Sequence, residues 1–577
     1  MDNPHGLILY DHPSSPCARR VRITLLEKDL SWDTQIIDLS RLEQRRPEYL
    51  RLNPNGFVPT LAHGERVVYE SNVITAYLDD AFPEVGLYPR DAWELAQVKM
   101  WQAAELAMAK DYRPLMYQRL MGPMVRLTRT LEEALETARR STTDPADLAW
   151  EERIWRLAVL TPEEETQVEE RLWTWLGHLE RHLDGRAFLV GDRFTQAEIS
   201  VFPRVMMYAF VQLHISGERF PNVAGWMQRL AERPSFASTL SSADAQLLKL
   251  SRTRLLPWLA RTLRKQKPSL LERLRLRIVR RAARRRMGVA RAAAKGMRAN
   301  RPIRQPAPGA IAPADRPLQR GPAAPPALLA EPLTLYDDRL SPHARRIRIL
   351  LREKSLGWQT VDVPLWRLAH KAPGYLAINP NGEVPAMRHG ERVIYDSQLI
   401  AEYVDRIYIG NPLYPDDAYR LAQVRMWLAL EAGTHKEFRP LFYLAVIRPA
   451  LQAAGVREDD LDAAVAPGVH PSHVEFLRQT LRGTPRFDSG EAMAREIIRK
   501  KVDLLERHLK GHAFLVGDTY SMADIAWFTR IDLLPQLGVA LAVQRYPNLT
   551  RWHQRIAVRP STREDPPRRE QGATVHL

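Results

Sequence analysis

The chain has 577 residues, enough for several domains of about 100–200 residues each. Its composition, 45% hydrophobic and 26% charged, excludes a wholly disordered or collagen-like protein. A single cysteine rules out an intrachain disulfide, which is typical of a reducing compartment, so we expect a cytoplasmic protein. The sequence shows neither a basic-then-apolar signal pattern nor an apolar run of about 18 residues, and predicts no membrane span.

The formal charge of +16 is concentrated in one segment. Residues 249–304 contain 20 Lys/Arg and one acid, Glu272, which gives +19, whereas the rest of the chain sums to −3 because 64 basic residues face 67 acidic ones. Apolar residues recur in this segment at roughly helical spacing. Residues 302–332 contain nine prolines, which is typical of an extended spacer.

The first elements in chain order predict a βαβ unit. Residues 7–10 are a short apolar run that indicates a buried strand. Ser15 followed by Pro16 is a favoured start for a helix, which we expect over residues 17–28. Residues 32–39 then indicate a second strand.

The following elements predict a hairpin and then helices. Thr60-Leu61 and residues 66–69, separated by His63-Gly64-Glu65, indicate two paired strands. A helix is predicted from Ser71 to about Asp80, and the pattern is helical from Ala92 onward. One small α/β domain is therefore followed by an all-helical domain.

The whole pattern occurs twice, at an offset of 326 residues. From residue 53 to 71, 13 of 19 positions match those from 379 to 397. The same offset relates Arg113-Pro114 to Arg439-Pro440. Two copies of one module of about 240 residues are therefore joined by a linker.

Each copy also contains a predicted capping box in its helical half. Thr195 and Glu198 in the first copy, and Ser521 and Asp524 in the second, have the spacing at which a hydroxyl and a carboxylate satisfy each other's backbone amides. We expect these four residues to be structural.

Four motifs, in the same order in both copies, make the chain resemble the glutathione S-transferase family. They are Ser-Pro-x-x-Arg-Arg at the first helix, Asn-Pro-x-Gly-x-Val-Pro before the hairpin, Glu/Asp-Ser at the next helix, and the capping box. The resemblance covers roughly residues 7–240 and 333–562. It implies a thioredoxin-like domain that binds glutathione, a helical domain that forms much of the acceptor pocket, and a dimer.

The expected fold class is therefore α/β plus all-α: two thioredoxin-like domains, each followed by a helical domain, with a basic and Pro-rich linker between the copies. Duplication in one chain suggests an intramolecular pseudo-dimer. The predicted boundaries are 7–84 and 90–240 for the first copy, 241–332 for the linker, 333–410 and 416–562 for the second copy, and 563–577 for a disordered tail.

The resemblance implies an enzyme that activates glutathione as a thiolate and needs no metal. Ser15 and Ser341 match the activating serine of zeta- and theta-like relatives, although each also serves as a helix cap. Conjugation to a small hydrophobic electrophile, or a related isomerisation, dehalogenation or ether cleavage, with a role in detoxification, is expected. The alternative is a non-catalytic scaffold of the same fold.

Further motif residues match the family's glutathione site. Val58-Pro59 and Val384-Pro385 match its Val-cis-Pro, whose valine backbone pairs with the cysteinyl part of glutathione. Glu70-Ser71 and Asp396-Ser397 match the pair that holds the γ-glutamyl end, with ordinary helix capping as the alternative.

Four residues are accessory candidates with an open alternative. Cys17 in the first helical turn is either a half-buried thiol or one that forms a mixed disulfide with glutathione, and His343 replaces it in the second copy. Arg113 and Arg439 meet an anionic acceptor or form surface ion pairs.

The basic segment has three candidate roles. Its leucines and arginines suit an amphipathic helix on an anionic membrane surface, which would make the protein peripheral to the membrane. Nucleic acid is the less favoured partner because aromatic residues are scarce and no base-reading motif is present. A solvated linker without a partner is the third.

Overall fold

A computed structural model describes residues 3–140, 145–253, 255–265, 269–282, 324–467, 469, 471–485 and 490–563. The described residues divide into two compact units. One contains residues up to 282 except 90–96, and the other contains residues 90–96 together with those from 324 onward. The predicted tail after 563 and most of the Pro-rich spacer lie outside the described residues.

The first module begins with the predicted βαβ unit and hairpin. Its four strands are ordered β2-β1-β3-β4, with β1 and β2 parallel and the other pairs antiparallel. Leu9 pairs with Thr34 on one side and with Leu61 on the other, so β1 is central. The strands are β1 Leu7–Asp11, β2 Asp33–Ile36, β3 Thr60–His63 and β4 Arg66–Tyr69, and the helices are α1 Pro16–Glu27, α2 Pro47–Leu50 and α3 Ser71–Ala81.

The predicted second strand is shorter than expected. The sequence pattern covers residues 32–39, whereas β2 ends at Ile36 and a 3₁₀ turn occupies Leu39–Arg41. β2 pairs on one side only, with β1, and its first two residues are exposed. As an edge strand, β2 can form backbone hydrogen bonds only with β1, which limits its length.

Helices make up the rest of the first module, as predicted. In the helix Pro162–His182, Leu172, Leu176 and Leu179 recur at helical spacing and are buried, so this face of the helix packs against the core. The helices are α4 Ala92–Met116, α5 Gly122–Thr128, α6 Leu131–Arg139, α7 Pro145–Arg156, α8 Pro162–His182, α9 Gln196–Met206, α10 Pro221–Ala231 and α11 Pro234–Ser238.

The long stretch after Arg113 folds into short helices. Pro114 lies inside α4, and a π-helical turn at Tyr117–Met121 follows it. The Gln118 side chain donates to the Leu157 carbonyl at 2.9 Å and accepts from the Val159 amide at 3.1 Å. This buried side chain therefore ties the end of α7 back to the π-turn.

The second module repeats this architecture, with sheet order β6-β5-β7-β8. Its strands are β5 Leu333–Asp337, β6 Gln359–Asp362, β7 Ala386–His389 and β8 Arg392–Tyr395. Its helices are α16 Pro342–Glu353, α17 Pro373–Leu376, α18 Ser397–Ile407, α19 Ala418–Ala432, α20 His435–Phe442, α21 Arg448–Ala453, α22 Leu461–Ala464, α23 Pro471–Arg482, α24 Glu491–His508, α25 Met522–Ile531, α26 Pro547–Ala557 and α27 Pro560–Arg563.

The region between the modules begins with helices: α12 Ser242–Ser251, α13 Leu255–Arg264 and α14 at residues 270–282, and the short α15 Pro326–Leu329 precedes β5. Among the described residues, no helix is both long and apolar enough to cross a membrane. The same residues contain no cluster of three His, Cys, Asp or Glu side chains arranged to hold a metal.

Candidate functional site

The serine of each Ser-Pro motif is the N-cap of the first helix of its module. The Oγ atoms of Ser15 and Ser341 accept from the amides of Ala18 and Ala344, both at 3.2 Å. Ser15 is half-buried, whereas Ser341 is only 3% exposed. The predicted capping role is confirmed. Each hydroxyl group lies at a helix N-terminus, where the helix dipole favours a negative charge.

The Val-Pro loops leave a backbone edge open. The Val58–Pro59 and Val384–Pro385 peptide bonds are cis, as the resemblance implies. The Phe57 carbonyl accepts from the Tyr49 hydroxyl at 2.7 Å and from Asn53 Nδ2 at 2.9 Å, which holds the loop in place. Within the described residues, the amide and carbonyl of each valine have no hydrogen-bond partner. An extended peptide can therefore pair with this edge like an added strand.

The acid of each acid-Ser pair adopts an unusual backbone conformation. Glu70 has φ +69° and Asp396 has φ +75°, a backbone conformation that residues other than glycine rarely adopt. Glu70 Oε1 accepts from Asn55 Nδ2 at 2.7 Å, which connects the Asn-Pro-Asn-Gly turn to the start of α3. Asp396 instead accepts from the Gln398 amide at 2.8 Å and caps α18. Capping is therefore confirmed for Asp396 but not for Glu70, whose side chain caps no amide of α3.

A buried arginine holds the serine of the acid-Ser pair in the first module. Arg20, on α1, is 1% exposed, and its Nη1 donates to Ser71 Oγ at 3.1 Å. Its Nη2 contacts Glu105 Oε2 on α4, and Glu105 Oε1 accepts from Arg204 Nε on α9 at 2.8 Å. Three buried charged side chains therefore connect the α/β domain of the first module to its helical domain.

The second module has the same triad of Arg346, Glu431 and Arg530. Arg346 Nη2 lies 2.8 Å from Glu431 Oε1, and Arg530 Nε donates to the same carboxylate. Burial alone would raise the pKa of Glu431, but the two guanidinium groups outweigh it and lower the pKa to about 2. Arg20 and Arg204 likewise hold the pKa of Glu105 below its ordinary value despite burial.

The triad was not predicted from the sequence, although Arg20 is the last residue of the Ser-Pro-x-x-Arg-Arg motif. Its members lie far apart in the chain, and no local motif connects them. A signal was nevertheless available, because all three residues recur at the offset of 326.

The position two residues after each serine lies beside the triad. Cys17 Sγ is 3.8 Å from Arg204 Nη2. In the second module, His343 Nε2 is 2.9 Å from Arg530 Nη2, and His343 Nδ1 is 3.4 Å from Ser397 Oγ. Burial and the adjacent guanidinium groups lower the pKa of His343 well below its ordinary value, so the ring is neutral.

The tautomer of His343 follows from these contacts. Arginine only donates, so Nε2 must accept and the single ring proton is on Nδ1, which donates to Ser397. Arg346 Nη1 is also directed at the same oxygen, at 3.5 Å. Two donors, from His343 and Arg346, are therefore directed at the Ser397 oxygen.

The accessory arginines lie over aromatic rings. Arg113 lies 5.7 Å from the centre of the Phe57 ring, and Arg439 lies 5.5 Å from Tyr443 and 4.9 Å from Phe476. Among the described residues, neither guanidinium forms an ion pair.

Each module also has a second cation beside the Asn-Pro-Asn-Gly turn that sequence analysis did not select. Arg45 lies 5.7 Å from the Phe57 ring, and Lys371, at the equivalent position, donates to the Asn381 carbonyl at 3.2 Å. Burial lowers the pKa of Lys371 to about 8, with Arg439 acting in the same direction and Glu383 opposing it. Positive charge is therefore placed next to the open valine edge in both modules.

Family models match both modules. The model "Glutathione S-transferase, N-terminal domain" matches residues 14–81 and 340–407, and the model "Glutathione S-transferase, C-terminal domain" matches residues 155–234 and 465–560. These matches confirm the tandem duplication and the two-domain fold of each copy.

Individual proteins agree with the family models. Glutathione S-transferase 3 of Zea mays is 32% identical over 238 residues, which is 40% of this chain and 91% of that protein. A Vibrio cholerae protein named "Probable maleylacetoacetate isomerase" is 30% identical over 234 residues, which is 40% of this chain and 94% of that protein.

A solved structure is also similar. It is a glutathione transferase from Phanerochaete chrysosporium in complex with oxidized glutathione, with 26% identity and a TM-score of 0.32 over 43% of this chain and 100% of that chain. By its domain models and its curated relatives, the chain belongs to the glutathione S-transferase family.

Proposed function

We propose that both modules bind glutathione and activate its thiol for attack on an electrophilic small molecule. The observation that carries this proposal is the set of groups repeated in each module: a capping serine, an open valine edge, and an acid-Ser pair whose serine faces a buried arginine. Conjugation is the reaction most of the relatives' names support, and the isomerase name of one relative supports isomerisation as the related alternative.

The serine hydroxyl is proposed to stabilise the thiolate. A free thiol has a pKa of about 8.5. A hydrogen bond to a charged group contributes roughly 1.5–3 kcal/mol, and one pKa unit corresponds to about 1.36 kcal/mol. Donation by Ser15 or Ser341 would therefore lower the thiol pKa by about one to two units and make the thiolate the main form near neutral pH.

The other groups suit the rest of the tripeptide. The valine backbone would pair with the cysteinyl residue, and Glu70 or Asp396 would meet the γ-glutamyl ammonium group. Ser71 or Ser397, with the first amides of the following helix, would hold the γ-glutamyl carboxylate. Arg20 and Arg346 act as positioning residues because they hold these serines.

The accessory residues have proposed roles toward glutathione and toward the acceptor substrate. Cys17 is a free, half-buried thiol in the first turn of α1. The proposed chemistry is thiol–disulfide exchange with oxidized glutathione, in which the Cys17 thiolate forms a mixed disulfide and one glutathione thiolate leaves. Arg113 and Arg439 would bind an acceptor that carries a negative charge. A small hydrophobic electrophile with an anionic group is the corresponding substrate class.

The test compares serine variants of the full chain. Ser15→Ala and Ser341→Ala should each slow turnover of a generic aryl halide at neutral pH, and the double variant should raise the pKa seen in the pH–rate profile by about one to two units. Ser241→Ala is the matched control, because Ser241 also caps a helix, accepting from the Asp244 amide at 3.0 Å. Unchanged turnover in the double variant would contradict the serine assignment.

The scaffold alternative makes a different prediction in the same experiment. A non-catalytic protein would give no turnover and no retention of the wild-type chain on immobilised glutathione. Retention with turnover would exclude it.

We also propose that the two modules form an intramolecular pseudo-dimer, as duplication of a dimerising family suggests.

A further inference from the structure

Part of the basic segment belongs to the surface of the first module. Leu259 and Leu263 of α13 are buried in one cluster with Leu127 and Leu157. Arg264 Nη2 lies 2.9 Å from Glu165 Oε2, at the beginning of α8. The start of this segment is therefore docked, which fixes where the next helix can lie.

Helix α14 has two apolar faces, and only one of them is covered. Leu276 is 7% exposed and joins the same buried cluster, with Val279 packed beside it. On the other face, Leu270, Leu274 and Ile278 follow at intervals of four residues and are 68%, 48% and 68% exposed. Leu271, 58% exposed, lies next to this row. We call these four residues the outer row.

Positive charge surrounds the outer row. Five arginines on α14 are exposed to solvent: Arg273, Arg275, Arg277, Arg280 and Arg281. The helix has one acid, Glu272, and it is already used: it accepts from Lys265 Nζ at 2.6 Å and from the Ser269 amide at 2.8 Å. The outer face of α14 therefore combines apolar side chains with arginines that form no ion pair with any described residue.

We propose that the outer face of α14 docks the protein on an anionic lipid surface. The leucines and the isoleucine would enter the boundary between headgroups and acyl chains, while the arginines would extend to lipid phosphates. A lipid surface would therefore bind both the apolar side chains and the arginines of this face. This inference does not depend on the proposed chemistry of the modules.

Other occupants fit the face less well. A second copy of α14 would bring two sets of five arginines together, and the residues that follow in sequence, Arg284 to Arg286, carry the same charge. A nucleic acid would neutralise the arginines but leave the outer row in water. Trp258, the one aromatic residue in 249–304, packs against the buried cluster that contains Leu259 and Leu276, so the outer row contains no ring on which a base could stack.

The test is flotation of the full chain with vesicles of phosphatidylcholine, with or without added phosphatidylglycerol. We expect flotation only with the anionic vesicles, decreasing as salt is raised. Leu274→Asp with Ile278→Asp should reduce the floated fraction about tenfold and leave aryl-halide turnover and thermal stability unchanged. The matched control, Ile409→Asp with Val543→Asp, adds the same charge at two exposed apolar residues of the second module and should float like wild type.

Three results would overturn the proposal. They are absence of flotation with anionic vesicles, equal flotation with neutral vesicles, and unchanged flotation of the α14 variant. Binding of duplex DNA by a chain that does not float would instead assign the face to nucleic acid. Loss of turnover in the serine variants has no bearing on these outcomes, so the two proposals fail separately.

Discussion

The buried Arg-Glu-Arg triads show how single charges are kept inside each module. Taking a carboxylate out of water costs several kcal/mol unless partners of opposite charge and hydrogen bonds replace the water. Glu105 and Glu431 each have two guanidinium partners, and one guanidinium of each triad faces a serine of the proposed glutathione site. Each triad therefore compensates its own buried charges, and through Arg20 or Arg346 it contacts the serine that we propose binds glutathione.

Replacing the central carboxylate should destabilise the second module strongly. Glu431→Gln leaves two buried guanidinium groups without a counter-charge, and we expect the free energy of unfolding to fall by about 3–5 kcal/mol in chemical denaturation at pH 7. Glu491→Gln, which removes an exposed ion pair with Arg495, should change it by at most about 0.5 kcal/mol. Equal effects of the two variants would contradict this reading of the triad.

The difference in unfolding free energy between wild type and Glu431→Gln should depend on pH in a definite direction. Because the folded pKa of Glu431 is about 2 and its ordinary value is 4.5, its contribution is fully present above pH 4.5 and is lost as pH falls through about 2. The stability gap between wild type and Glu431→Gln should therefore shrink in acid. A gap that grows as pH falls would contradict the assignment.

His343 provides a second test on single residues. Its Nδ1–H donates to Ser397, so His343→Ala should weaken glutathione binding to the second module about two- to tenfold, as expected for one net hydrogen bond. Calorimetry in a Ser71→Ala background, which weakens the first site, would measure it. His214→Ala, at an exposed histidine of the first module, is the control and should leave affinity unchanged.

At the scale of elements, the acids of the two capping boxes differ by one methylene. Ser521 and Asp524 cap α25, and Asp524 Oδ1 also accepts from Trp552 Nε1 at 2.8 Å. Thr195 and Glu198 cap α9 in the same way, but the buried Trp226 Nε1 has no partner among the described residues. Each acid also accepts from a buried amide outside its helix, Glu198 from Leu189 at 2.6 Å and Asp524 from Leu515 at 2.9 Å. The bond from the indole of Trp552 is therefore what distinguishes Asp524 from Glu198.

Truncating the two acids should reveal this difference. Glu198→Ala should cost about 0.5–2 kcal/mol as the loss of a cap, and about 1–3 kcal/mol more because the buried Leu189 amide loses its acceptor. Asp524→Ala should cost about 1–3 kcal/mol more, because it also leaves a buried indole N–H unsatisfied. Thermal or chemical denaturation of both variants measures the costs, and a larger loss at Glu198 would contradict the role given to the indole bond.

At the scale of the whole molecule, the duplication gives the chain two candidate sites, and the basic segment lies between the two modules in the sequence. If the modules form an intramolecular pseudo-dimer, light scattering after gel filtration should give the mass of one chain, 66.3 kDa, over a wide range of concentrations. Glutathione binding should show two sites per chain. A mass that doubles with concentration would contradict the intramolecular arrangement.

The sequence by itself determined the features that depend on neighbouring residues. The strand, turn and helix of each βαβ unit, the serine caps, the Val-Pro loops and both capping boxes are local patterns, and the offset of 326 repeats them. Local hydrogen bonding and side-chain periodicity decide such elements, so they can be read from short windows. Family membership followed from their order.

Only the tertiary structure decided which distant residues meet. Arg20, Glu105 and Arg204 come together because three helices pack around them, and no window of sequence contains all three. The same holds for α14: helical spacing predicts an amphipathic helix, but only packing shows that Leu276 is buried while Leu274 and Ile278 are exposed. Burial depends on the neighbours that the fold supplies, and it decides whether a charge is a structural partner and whether an apolar row is a free surface.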